Sequence, residues 1–295
     1  NTVIGFVLLA GLFFTYFWYT NKQQTELQAY KKHFDDSVAL VQAAAKKAEA
    51  AKNPILVDST KGQAIVTDSV KEQITVLENN LIKVKFSNKG GQVVGVTLKK
   101  YKNSKKELVQ LGDSTSLSYP VNIGNNQTAQ INQVLFPIVN VLPESNGVQK
   151  IEYAWTTPSG KTIRHQFSLY AEKYNIDWNV QLDGADQLLT NGQINLVWDV
   201  HSYQQERTAQ YERQVSNVCF SEGKEFDYIS SKTTWTFEKP VQWVGLVQQF
   251  FSTTLIAKDG FASGKIDWQR RTDSSNGLAA MQSQLQTLES RPVET

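Results

Sequence analysis

Residues 78–102 read ENNLIKVKFSNKGGQVVGVTLKKYK, and this stretch decides the fold. Ile82, Val84 and Phe86 alternate with Lys83, Lys85 and Ser87. A period of two puts the apolar set on one side of an extended chain and the polar set on the other, so a half-buried strand is expected. Asn88-Lys89-Gly90-Gly91 follows, a run tolerant of positive φ, and residues 92–98 resume with β-branched side chains. The pair reads as a hairpin or tight strand connection, with the first strand opening at Glu78-Asn79 and the second ending at Leu98.

The same pattern extends outward. Residues 134–142, 149–156, 162–170, 174–182 and 193–200 read as strands, most of them separated by Gly, Asn, Asp or Pro clusters, with Thr157-Pro158-Ser159-Gly160 as a turn between two of them. Many strands at short spacing, with few long helical patterns between them, indicate a mainly β protein, a large antiparallel β-sandwich and not a parallel α/β sheet. Trp155, Trp178, Trp198 and Trp235 lie in or beside these strands, where large rings fill the space between sheets; an aromatic platform for a sugar is the competing reading.

At 295 residues and 40% hydrophobic content, the chain can bury a sizeable core. Its 30 basic and 28 acidic residues leave a net charge of +2, too weak a field to select nucleic acid. The one cysteine, Cys219, excludes an intrachain disulfide framework or a multi-cysteine zinc site, and reads as a small core residue.

Upstream, residues 3–19 (VIGFVLLAGLFFTYFWY) carry no charge. A helix over 2–20 would be roughly 28 Å long, enough to span a bilayer core. Tyr16, Trp18 and Tyr19 suit the headgroup boundary at its end, and their bulk argues against a signal-peptide cleavage site. Counted alone, Lys22, Lys31 and Lys32 would place the following domain in the cytoplasm. Residues 26–52 form an amphipathic pattern with Leu27, Tyr30, Phe34, Val38 and Val41 on one stripe, closed by Asn53-Pro54. This reads as a spacer helix, or as a helix whose apolar face packs on a neighbouring membrane protein. Residues 55–73 lack a period and read as a linker. The expected organisation is an anchor over 2–20, a spacer helix and linker over 21–72, and a β domain over 73–295.

Chemistry-bearing motifs are scarce. His33, His165 and His201 are scattered, and the latter two read as surface or turn residues. Glu206 and Glu212 stand beside Arg207 and Arg213, where solvated ion pairs are expected. The sequence contains no Walker-type loop, G-x-S-x-G elbow or calcium loop, so no catalytic, cofactor-binding or metal residue is assigned. Lys99, Lys100, Lys102, Lys105 and Lys106 surround Tyr101, a run that could meet lipid phosphates or an acidic partner but that also suits a solvated loop.

Three segments together resemble the N-terminal region of YidC-type membrane protein insertases, especially the Bacteroidetes form. They are Asn1-Thr2-Val3-Ile4-Gly5-Phe6, the 78–102 stretch, and WVGLVQQFFSTTLIA at 243–257. The resemblance rests on Gly90, Gly91, Tyr101, Trp243, Gln248, Gln249, Phe250 and Phe251, expected to be structural or interaction positions. It implies a β-supersandwich similar to sugar mutarotases, facing the periplasm behind a single inner-membrane helix, which reverses the orientation from lysine count. It further implies a non-enzymatic accessory region without the inserting membrane domain, and contacts with Sec translocon components such as SecD/SecF and with nascent membrane proteins. A carbohydrate-binding or mutarotase-like sandwich is the alternative, requiring His165, His201 and a carboxylate to converge. A membrane-anchored envelope scaffold is another.

Overall fold

The structure, a computed structural model, describes residues 71–124, 127–271 and 276–287. The anchor expected over 2–20 and the spacer helix expected over 26–52 lie outside these residues.

The opening hairpin forms, in a longer frame than its period suggests. Strands β1 (Ile74–Glu78), β2 (Ile82–Ser87), β3 (Gln92–Lys102) and β4 (Leu108–Leu111) pair in chain order as one sheet. Ile82, Val84 and Phe86 are buried, whereas Lys83 and Lys85 are exposed. Glu78 ends β1, and Asn79 builds the turn instead of opening a strand. Its Oδ1 accepts the N–H groups of Leu81 (2.8 Å) and Ile82 (2.7 Å), the way a short polar side chain substitutes for backbone in a tight turn. Strand β3 continues past Leu98, so Tyr101 is a strand residue.

Strands β5 (Ser116–Ser118), β6 (Pro120–Gly124) and β7 (Gln127–Gln130) follow, the last two as a ribbon. A second sheet contains β8 (Ile138–Ser145), β9 (Val148–Thr156), β10 (Thr162–Tyr170) and β11 (Ile176–Leu182), in the order β11-β10-β9-β8. The strand expected from residue 134 begins only at Ile138, because the preceding backbone is already engaged. Gly90 N–H donates to the Val134 carbonyl (2.7 Å) and Phe136 N–H to that of Asn88 (2.9 Å), which fastens this segment to the glycine turn.

A short helix, α1 (Ala185–Leu188), leads to β12 (Asn195–Tyr203). Then come α2 (Ala209–Val215), β13 (Asn217–Glu222), β14 (Glu225–Ile229), β15 (Thr234–Thr236), β16 (Val241–Val247), β17 (Ser252–Arg270) and β18 (Gly277–Thr287). The third sheet has the order β14-β13-β16-β17-β18-β12-β5, with β15 also on β17. Every strand pair among the described residues is antiparallel.

One contiguous core draws on all three sheets. Phe86 of β2 meets Phe167 of β10 with ring centroids 5.1 Å apart, and Trp178 stacks parallel to Phe167 at 6.1 Å. Trp198 is buried, and Trp155, Trp178 and Trp235 pack partly buried against the core, as expected of rings between sheets. Cys219 departs from expectation: it is half-buried, not a core residue. Strand alternation explains this, since Val218 and Phe220 take the inward positions and leave Cys219 facing outward between Tyr228 and Gly245.

Candidate functional site

The glycine turn between β2 and β3 is a buried corner. Gly90 and Gly91 have φ of 79° and 51°. A Cβ on Gly91 would lie 3.0 Å from Tyr153 Cβ and 3.3 Å from His165 Nδ1, so both the backbone conformation and the close approach require glycine. His165 Nδ1 lies 2.8 Å from the Gly91 carbonyl oxygen, and Nε2 lies 2.6 Å from Tyr119 Oη. A carbonyl only accepts, so the ring proton sits on Nδ1 and Nε2 accepts from the tyrosine hydroxyl: a neutral imidazole with both nitrogens satisfied. The rings of Phe136 (5.0 Å), Trp178 (5.3 Å) and Tyr119 (5.8 Å) surround it. Burial holds the His165 pKa down at about 4, and pushes the Tyr119 and Tyr153 hydroxyls well above their ordinary value.

His165 is therefore a core residue, not the surface or turn residue its sequence neighbours suggest. It shares the inward face of β10 with Ile163, Phe167 and Leu169, a period-two signal that the adjacent Arg164 obscures. His201 is half-buried on β12, in a different sheet, beside a cavity of about 10 Å³ that Gln110, Tyr203, Gln248 and Thr253 also line. That volume suits a single water molecule. The hydrogen bonds of His165 go to Tyr119 and Gly91, so the convergence with His201 and a carboxylate that sugar chemistry would need does not form. Among the described residues, no group of three His, Cys, Asp or Glu side chains could hold a metal ion.

Glu212 also departs from its reading as a solvated ion-pair partner. It is buried within α2, and its carboxylate accepts the backbone N–H groups of Gln205 (3.1 and 3.3 Å) and Glu206 (3.0 Å). Burial pushes its pKa upward. The C-terminal end of α2 is held by Arg270, whose guanidinium donates to the carbonyls of Arg213 (2.7 Å), Gln214 (3.2 Å), Ser216 (2.7 Å) and Ser230 (2.6 Å). Its planar fork satisfies carbonyls that the helix end leaves free.

The remaining motif positions separate into two places. Tyr101, late in β3, meets Phe251, in the turn between β16 and β17, with ring centroids 5.9 Å apart. It also meets Tyr174, from the β10–β11 connection, at 6.4 Å. Tyr101 and Tyr174 are each 47% exposed, so these contacts bring residues far apart in sequence to one aromatic surface, and Phe250, next to Phe251 in the turn, is 67% exposed. Gln248 opens the turn, its N–H donating to the Phe251 carbonyl (2.9 Å); its side chain is buried, while that of Gln249 is half-buried. Trp243 stands apart on β16, beside Phe226 at 6.1 Å. A cleft of about 180 Å³ between the first two sheets is lined by Asn79, Lys99, Glu144 and Gln149.

These features define an antiparallel β domain whose buried histidine is bonded within the core and which carries exposed aromatics near the far end of β3. The chain belongs to the YidC periplasmic domain family, whose model matches residues 74–294. It is 22% identical over 295 residues to the membrane protein insertase YidC of Parabacteroides distasonis, covering 90% of this chain and 45% of that protein. With the YidC of Cytophaga hutchinsonii, identity is 27% over 273 residues, covering 88% and 43%. The chain thus spans less than half the length of these relatives. Among solved structures, a galactose mutarotase-like protein from Lactobacillus casei superposes with a TM-score of 0.44 at 10% identity, over 72% of this chain and 87% of its own.

Proposed function

We propose that the chain is the accessory periplasmic region of a membrane protein insertase, assisting insertion and folding of inner-membrane proteins without catalysing a reaction. The observation that carries this reading is the coincidence of boundaries: the family match begins at Ile74, the first residue of β1, and runs through β18. The whole described β domain is therefore the family's domain.

In this reading residues 2–20 anchor the protein in the inner membrane, 21–72 act as spacer and linker, and 73–295 form a periplasmic β-supersandwich. The inserting membrane domain lies in the further length that the relatives have. Partners are the bilayer, nascent membrane proteins and Sec translocon components such as SecD/SecF; nucleic acid is not among them. The neutral, fully bonded His165 favours this over a sugar-converting sandwich, since an imidazole with both nitrogens engaged inside the core has no group to offer a substrate.

The test replaces the native protein by one lacking residues 74–287 and follows pulse-labelled inner-membrane proteins by protease accessibility. Slower insertion or maturation of a subset is expected. Unchanged insertion across the inner-membrane proteome, with the shortened protein at native abundance, would refute an accessory role.

A further inference from the structure

The far end of β3 combines two features that the fold itself does not need. Tyr101, Tyr174 and Phe250 expose about half or more of their surface, although Tyr101 contacts both Tyr174 and Phe251. Lys100 and Lys102 adjoin Tyr101 along β3, and Lys105 and Lys106 lie in the turn of the same hairpin; all four are exposed, and none has a carboxylate within 4 Å among the described residues. Large aromatics gathered at a surface and rimmed by charge are the composition of an anchor point for binding.

We infer that this end of the domain is a docking surface for a protein partner that offers acidic side chains beside an apolar anchor. One other occupant fits less well. A second copy of the same patch would oppose lysine to lysine, and like charges brought together are disfavoured. Lysines and tyrosines would also meet a bilayer, and lipid adducts are its outcome in the test. The hairpin that carries the patch is tied to the loop after β12, where Ser104 N–H donates to the Gln205 carbonyl (2.7 Å).

The test places the photo-cross-linker p-benzoylphenylalanine at Phe250 of the full native protein in its own membrane, with exposed Val141 as the reference position. Protein adducts at Phe250 are expected, mapping by mass spectrometry to Asp- or Glu-containing segments. Their yield should fall roughly tenfold when Lys100, Lys102, Lys105 and Lys106 are all changed to Glu, as the loss of four exposed ion pairs would give. Reversing the exposed Lys83 and Lys85 should leave it unchanged. Adducts mainly to lipid or to a second copy, a yield insensitive to the four-lysine reversal, or no excess over Val141 would each overturn the inference. None of these outcomes touches the insertion assay, so the two readings fail separately.

Discussion

Acid should weaken this domain through His165. The imidazole has a pKa of about 4 when folded, against about 6.5 for an unperturbed histidine. The unfolded chain therefore takes up the proton first. Stability is fully present above pH 6.5, declines as pH falls between 6.5 and 4, and is flat below both values for this group. A gap of about 2.5 units at 1.36 kcal/mol each predicts a loss of about 3 kcal/mol, a large part of a typical domain's stability. Physically, protonation would place a second N–H against Tyr119 Oη and a charge among Phe136, Trp178 and Tyr119. Urea unfolding of the β domain, followed by tryptophan fluorescence at closely spaced pH values, measures the loss. Carboxylates add their own slope, so the informative quantity is the difference from His165→Gln, which keeps a donor and an acceptor but does not titrate. That difference should shrink by about 3 kcal/mol from pH 7 to pH 4; parallel profiles would refute the reasoning.

Gly91→Ala should cost more than about 2 kcal/mol, because positive φ and the 3.0 Å approach to Tyr153 Cβ act together; the denaturation midpoint reads it, and a near-neutral result would show that the turn can relax. Arg270→Lys should destabilise by roughly 1–3 kcal/mol, since a point-like ammonium cannot reach four carbonyls in one plane, and thermal unfolding would show it. Glu212→Ala should release the amides of Gln205 and Glu206 to exchange, measurable residue by residue by hydrogen–deuterium exchange, while β10 stays protected. Phe250→Ala, at an exposed position, should change stability by less than about 0.5 kcal/mol in the same denaturation series.

The hairpin at 82–98 and the antiparallel character were legible because a one-sided strand writes its burial directly into a period of two. Thr162–Tyr170 was readable to the residue, since a turn signal bounds it before and polar residues follow it. Where reading failed, the missing information was tertiary. Nothing local says that residues 134–137 are bonded to the glycine turn, or that Glu212 faces backbone amides instead of Arg213. The glycines could be singled out from sequence, but their reason, the closeness of Tyr153 and His165, joins three strands of two sheets. Tyr101 and Phe251 likewise share a surface only because the end of β3 and the β16–β17 turn, far apart in sequence, meet at the same place in the domain.

The two halves of the 78–102 stretch behave oppositely, and the contrast explains why the surface end can be well ordered. At its start β3 is locked: Gly91 is wedged against Tyr153 and bonded to His165, so the strand's origin and direction are fixed by the core. At its far end the hairpin has few buried side chains of its own, and its order comes from the neighbouring loop. Glu212 fixes the Gln205 amide; the Gln205 carbonyl then accepts Ser104 N–H, and Gln205 Nε2 donates to the Gln110 carbonyl (3.1 Å) across the base of the hairpin. A buried carboxylate thereby ties down the hairpin that carries Tyr101. Surface groups held in advance lose less freedom on binding, so a partner docking there would gain more from each contact than it would from a loose loop of the same composition.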